Sequence, residues 1–308
     1  MNPKNRFVRS GVAMALLALG AAVAPPGALA AALDADAITK ASGATTSVQS
    51  DGVVRIGWPR TDVVVTVDGV ALPPAAGLGS WAAFAPMPND SAMVMGDTVV
   101  FADEVDAAMD AAFASGLAVT AIHNHFFHDM PAVYFMHIAG EGKPEALAAG
   151  VKAVWGAIRA VRSAHAQPAD GFGGATPTPS HVDADAIAKI VGQPAADMQG
   201  VAKITIGRDG TMHGMPIGAS MGLTTWAAFA GTDQLAAMDG DFIMTASEVQ
   251  PVLEALRKAS VHIVALHSHM IGETPNYYFA HFWAKGSATD LARGLRSALD
   301  IQAAAGKQ

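Results

Sequence analysis

The feature that most constrains this chain is that it contains one segment twice. From Gly96-Asp97 onward, a second copy follows the first at a constant offset of 144 residues, the separation of His123 from His267. Pro131 lies over Pro275, Tyr134 and Phe135 over Tyr278 and Phe279, His137 over His281, and Gly142 over Gly286. Upstream, Trp81 to Phe84 recurs as Trp226 to Phe229, and Asp34 to Ile38 as Asp183 to Ile187. A chain built this way folds as two like units, and their closely similar apolar faces favour packing about a pseudo-twofold axis. The expected division is 31–163 for the first repeat, 164–182 for a Pro/Gly-rich connector, and 183–308 for the second repeat.

Each repeat reads alike. Gly96–Phe101 and Gly240–Thr245 have strand character and lead into helices. Val105, Ala108, Met109 and Ala112 share one face of the first helix, and Val249, Val252, Leu253 and Leu256 one face of the second. Thr245 and Glu248 have the spacing of a capping box. A strand follows (117–126; 261–270), then a Pro-containing connection, a second strand (133–139; 277–284) and an amphipathic helix. Residues 53–68 and 201–209 read as hairpin material. The fold class is α+β, with antiparallel strands and helices packed on one face in each repeat.

Composition narrows the chemistry. The absence of cysteine removes disulfides, thiolate metal ligands, thiol nucleophiles and lipid attachment at a cysteine. Formal net charge is −8, and three of the cations (Lys4, Arg6, Arg9) fall in a leader without acids. The remainder is more acidic still, which disfavours a nucleic-acid partner. Residues 1–30 read as a signal peptide: a basic start, an apolar run from Gly11 to Ala24, and Ala28-Leu29-Ala30 before the expected cleavage. That run is too short to span a membrane. The expected product is exported and soluble, either periplasmic or secreted.

Seven of the 11 histidines belong to the duplicated segment. Residues two apart on a strand share a face, so His123 projects with His125, and His267 with His269. A hairpin centred on Met130 sets His137 directly across from His123, and one centred on Thr274 sets His281 across from His267. Each repeat then gathers three imidazoles, with Asp129 or Glu273 in the turn between. Three imidazoles with a carboxylate or water suit zinc first, and copper or iron as well. In this reading His123, His125, His137, His267, His269 and His281 hold metal. Asp129 and Glu273 either complete the ligand set or activate water as catalytic groups.

Other residues have competing readings. Glu104 and Glu248 are either favourable charges in a helix's first turn or partners that orient an imidazole. His128 falls opposite Gly272, an extra candidate ligand in the first repeat only, and His213 has no counterpart. Gly218-Ala-Ser220-Met-Gly222 matches the GxSxG nucleophile pattern but lacks the strand-before, helix-after context, so a glycine-flanked turn is the better reading.

The two histidine segments, each running through Pro, Tyr, a further His and Gly, resemble the LppY/LpqO family, also called DUF1259. Gly77 to Phe84 (GLGSWAAF) and Gly96-Asp97 leading to Glu104-Val105 extend the likeness, which covers about 34–303, duplication included. The family takes its name from mycobacterial lipoproteins; without a cysteine, no such anchor is expected here. The resemblance implies no activity. From the histidines, the expected function is a zinc-dependent hydrolase of small or cell-envelope molecules. A non-catalytic copper or zinc carrier or sensor and a redox metalloenzyme are the alternatives.

Overall fold

The computed structural model describes residues 31–169 and 171–306; the expected signal peptide, residues 1–30, lies outside them. Apolar side chains at alternate positions build one 12-stranded sheet. The first repeat supplies β1 (Thr46–Val48), β2 (Val54–Pro59), β3 (Gly79–Met87), β4 (Ser91–Phe101), β5 (Ala118–His123) and β6 (Val133–Gly142). The second supplies β7 (Ala195–Met198), β8 (Val201–Gly207), β9 (Thr224–Gly231), β10 (Ala236–Met244), β11 (His262–His267) and β12 (Tyr278–Gly286). Their spatial order is β1-β2-β3-β4-β6-β5-β11-β12-β10-β9-β8-β7, with every ladder antiparallel. Each repeat therefore forms one contiguous half, and the second half repeats the first in reverse. The halves join between β5 and β11, where Ile122 faces Leu266.

Six helices are found among the described residues: α1 (Ala35–Ser42), α2 (Val105–Ala114), α3 (Pro144–Ala164), α4 (Ala184–Val191), α5 (Ala246–Lys258) and α6 (Ala288–Ala305). The matching Asp34 and Asp183 cap α1 and α4, Asp34 accepting the Asp36 and Ala37 N–H groups and Asp183 that of Ala186, and Gly43 and Gly192 end them in the left-handed region. A cap of this kind is worth about 1 kcal/mol. The Thr245–Glu248 capping box forms as the spacing predicts. The apolar faces expected of α2 and α5 are buried in one cluster with Val94, Ile122, Ile138 and Leu266, and this cluster spans both repeats. None of the helices is long and apolar enough to cross a membrane.

The other face of the sheet carries two smaller clusters. Val63, Val65 and Leu78 cover Val99, Phe101, Val133 and Phe135 in the first repeat, and Leu223 packs with Ile243, Tyr277 and Phe279 in the second. Two three-stranded ribbons lie here. One pairs 66–67 with 70–71 and 129–130; the other pairs 210–212 with 215–217 and 273–274. The segment 53–68 is thus divided: β2 pairs with β1 and β3, and 66–67 leaves for the ribbon.

Two local expectations change. The strands β5 and β11 end at His123 and His267, so His125 and His269 lie just beyond them. The directly opposed histidine pairs do not form either. His123 faces Phe135 while His137 faces Ala121, and His267 faces Phe279 while His281 faces Ala265. The cause lies in the connection, which contributes a ribbon strand of its own instead of a tight turn and centres the pairing one residue earlier, at Asp129 and Glu273; the bulges between Val119 and Ala121 and between Ile263 and Ala265 fall on the far side of the histidines. The resulting offset is two residues, so the histidines keep their common face.

Candidate functional site

The two histidine clusters stand on the sheet face opposite the helices, beside the smaller apolar clusters. On β4 and β10 an aspartate occupies the position directly across from the outer histidine: Asp97 faces His137, and Asp241 faces His281. Both aspartates are buried, at 8% and 1% exposure. Each follows a glycine that the sheet requires. A Cβ at Gly240 would stand 2.2 Å from the Phe282 ring and 2.5 Å from the Trp226 carbonyl, and at Gly96 2.9 Å from the Trp81 carbonyl.

In the second repeat, Asp241, His267 and His269 each bring one ligand atom to within 4.8 Å of the others. The His269 Nε2 lies 3.1 Å from Asp241 Oδ2. The His281 ring stacks on His267 with centroids 4.9 Å apart, and its Nδ1 lies 3.3 Å from the Gly240 carbonyl. Donation of Nδ1–H to that carbonyl leaves Nε2 as the ring's free lone pair. Phe279 lies flat against His269 at 3.5 Å and fixes its ring plane. Asp241 Oδ1 and His267 Nδ1 are buried without a hydrogen-bond partner in the protein. Burying such atoms unsatisfied costs about 1–3 kcal/mol each. Burial lowers the pKa of His267, with Asp241 opposing and His281 and His269 reinforcing the shift. The neutral imidazole, which is the form that ligates metal, is thereby favoured.

The first repeat repeats the parts with a looser closure. His123 lies 5.1 Å from both His125 and His137, centroid to centroid, and His125 stacks on Phe135 at 3.4 Å. Asp97 Oδ1 is again buried without a hydrogen bond, and His137 Nε2 stands 3.8 Å from it. Burial lowers the pKa of His125; Asp97 opposes that shift, and His123 and His137 add to it.

Donor atoms gathered within 4.8 Å fit a metal ion. Zinc holds nitrogen and oxygen ligands at about 2.0–2.2 Å, so small side-chain rotations bring these atoms onto one ion. Asp241, His267 and His269 are the best placed to hold it.

The turn carboxylates occupy a different position. Asp129 Oδ2 accepts the Val133 N–H at 2.6 Å, and Glu273 Oε1 accepts the Tyr277 N–H at 2.9 Å. Glu273 is outside the ligand group, and its Oε2 is buried without a partner. Glu104 and Glu248 orient no imidazole. Each accepts a backbone N–H at its helix start and a bidentate arginine, Arg60 and Arg208 respectively. His128 adopts φ 60° in the turn position that Gly272 occupies at φ 96°. His213 is exposed, and Ser220 sits in a short 3-10 turn that leads into β9.

The residues missed by sequence reasoning are Asp97 and Asp241. The signal was present: a Gly-Asp pair at the same place in both copies, Gly96-Asp97 and Gly240-Asp241, within a strand. Its cross-strand position could not be read without the register of β4 against β6, which join only after an intervening helix and strand.

The chain matches, over residues 36–157 and 185–301, the family described as Domain of Unknown Function (DUF1259). No curated protein matches it. Among solved structures, a trimeric bacterial microcompartment shell protein, PduB, aligns over 83% of this chain and 89% of its own at 9% identity and a TM-score of 0.20. EtuB from Clostridium kluyveri aligns over 84% and 90% at 10% identity and 0.21, and EutL from Clostridium perfringens over 71% and 83% at 13% identity and 0.19. Overlap at these scores defines no shared fold.

Proposed function

We propose that this protein, which belongs to the family described as Domain of Unknown Function (DUF1259), is an exported metal-binding protein that holds one divalent ion in each repeat. Asp241, His267, His269 and His281 form the second site; Asp97, His123, His125 and His137 form the first. The observation that carries this reading is the convergence of Asp241, His267 and His269 on one point, with Asp241 Oδ1 and His267 Nδ1 buried and unpartnered beside it. The nitrogen and oxygen donors favour zinc. His269 is exposed, so the site is open to solvent and substrate.

Asp241, His267 and His269 would hold a zinc ion that would supply an acidified water, with a pKa of about 7, for hydrolysis of an ester, lactone or phosphoester of a small or cell-envelope molecule. A second reading, a carrier without turnover, is favoured by one observation. The acids nearest in sequence to the histidines, Asp129 and Glu273, each give one carboxylate oxygen to a backbone N–H, of Val133 and Tyr277 respectively, and Glu273 is outside the group of donor atoms.

Elemental analysis of protein purified without chelator tests the binding reading. Two ions per chain are expected, one lost in His267→Ala/His269→Ala and the other in His123→Ala/His125→Ala. Absence of metal, with none taken up at neutral pH, overturns it. Turnover of an ester, lactone and phosphoester panel that chelation abolishes separates the hydrolase from the carrier.

A further inference from the structure

The two clusters are built on one continuous surface. Ile122 and Leu266 face each other across the seam and both point into the helix-side core. The next residues, His123 and His267, therefore turn to the opposite face together. In an antiparallel pair such residues are diagonal neighbours, with Cβ atoms about 7–8 Å apart. Across the six central strands the order is Asp97, His137, His123, His267, His281, Asp241. On the two seam strands the residues that face His137 and His281 are Ala121 and Ala265. These are half-buried and rise no higher than a methyl group, so they leave a low floor from one cluster to the other.

Distance then selects the kind of ligand. His137 on β6 and His281 on β12 are three strand steps apart and two residues out of row, or roughly 16 Å at a strand spacing of about 4.8 Å and a rise of about 3.4 Å per residue. Two-metal hydrolases clamp one phosphate or one water between ions about 3.5–4 Å apart. No single small group bridges the gap here. Each ion is instead a separate anchor on a shared floor.

We infer that the two repeats together bind one extended molecule carrying two anionic, metal-ligating groups roughly 16 Å apart, each taken by one repeat's ion while the segment between them crosses Ala121 and Ala265. This rests on the two-site reading above. Duplication then has a physical benefit: capture at one ion raises the effective concentration of the second group at the other to the millimolar range for a short linker.

The test uses the whole protein loaded with zinc and, as probes, bis-hydroxamates joined by ethylene-glycol spacers of increasing length, with acetohydroxamate as the single-headed control. Metal content is measured before and after each titration. Spacers that span roughly 16 Å are expected to bind one per chain, at least about 100-fold more tightly than the control. Shorter spacers are expected to gain no more than about twofold, the statistical factor for two heads. His267→Ala/His269→Ala and His123→Ala/His125→Ala should each return the long probe to control affinity. Two ions per chain with no dependence on spacer length, or one probe bridging two protein molecules, overturns the inference alone. Fewer than two ions per chain overturns it together with the two-site reading. The spacer series on the unmodified protein needs no variant to fold.

Discussion

The two repeats place the same four residues on corresponding strands and loops yet close them differently. In the second, the loop histidine reaches the buried acid, with His269 Nε2 3.1 Å from Asp241; in the first, the strand histidine comes nearest, with His137 Nε2 3.8 Å from Asp97. The strands fix three of the four positions, and the loop after β5 or β11 decides the fourth. These loops differ in sequence. Asn124 Nδ2 donates to the Phe126 carbonyl at 2.8 Å in the first, where the second has the shorter Ser268. His128 also takes the left-handed turn position that Gly272 occupies. A duplicated strand pair thus carries the candidate ligands, and the loop residues that differ set how closely each group closes.

The ion pairs beneath the sites differ as well, and breaking them has the largest expected effect. Arg60 and Glu104 are sealed from solvent, with Asp62 and Arg162 alongside, whereas the Arg208 side chain is 29% exposed beside Glu248. Arg60→Ala is expected to destabilise the fold by about 3–5 kcal/mol, because it leaves a buried carboxylate short of its partner. Arg208→Ala should cost about 2 kcal/mol, since water reaches the vacated space. Urea unfolding of both variants checks the contrast, and equal losses would erase it.

Metal release sharpens the comparison next. Competition with a chelator should show two phases, the tighter at least about tenfold stronger. Asp241→Asn is expected to weaken the tighter phase by about 10–100-fold, and Asp97→Asn to act only on the weaker. The aromatic supports come after these. Phe279→Leu and Phe135→Leu each remove a ring stacked on a ligand histidine, which is worth about 0.5–1.5 kcal/mol and so several-fold in affinity for their own site alone. Asn124→Ser, which frees the first loop, should narrow the gap between the phases by a few-fold, read in the same competition.

Acid provides a further contrast, to be read on metal-free protein. Burial acts to raise the Glu248 pKa, but hydrogen bonds from Arg208 and the Thr245 N–H outweigh it and hold the carboxyl below its ordinary 4.5. The unfolded chain keeps this proton more readily. Its contribution is therefore fully present above about pH 4.5 and is lost as pH falls through the folded-state value. His267 and His125, held neutral by burial below their ordinary 6.5, act with the same sign from a higher pH. Tm should fall progressively on acidification below about pH 6.5. Glu248→Gln should flatten the portion below about pH 4.5, and an unchanged profile in that variant would remove Glu248 from the account.

Much of this organisation was legible in the residues. The repeated apolar positions of α2 and α5, the Thr245–Glu248 box and the shared face of the paired histidines follow from local periodicity, which the chain states directly. The missing parts depend on tertiary pairing. The connections that slide His137 and His281 two residues from their expected partners are centred one residue earlier than Met130 and Thr274, because part of each is drawn into a ribbon. The ribbon that draws Asp129 and Glu273 into backbone hydrogen bonds is made with segments some sixty residues upstream. Asp97 and Asp241 join the histidines only because β4 and β10 become sheet neighbours of β6 and β12 across an intervening helix and strand.

The reversed strand order has one more consequence. Both free borders of the sheet are formed by corresponding elements, β1 and β7, of three and four residues. Borders that short offer few open backbone groups to a passing strand. Twelve strands can thus lie side by side without inviting a thirteenth, and lateral polymerisation is discouraged at both ends. With strand-by-strand growth disfavoured at both borders, the broad faces, one of them the floor on which the histidines stand, are the more open surfaces.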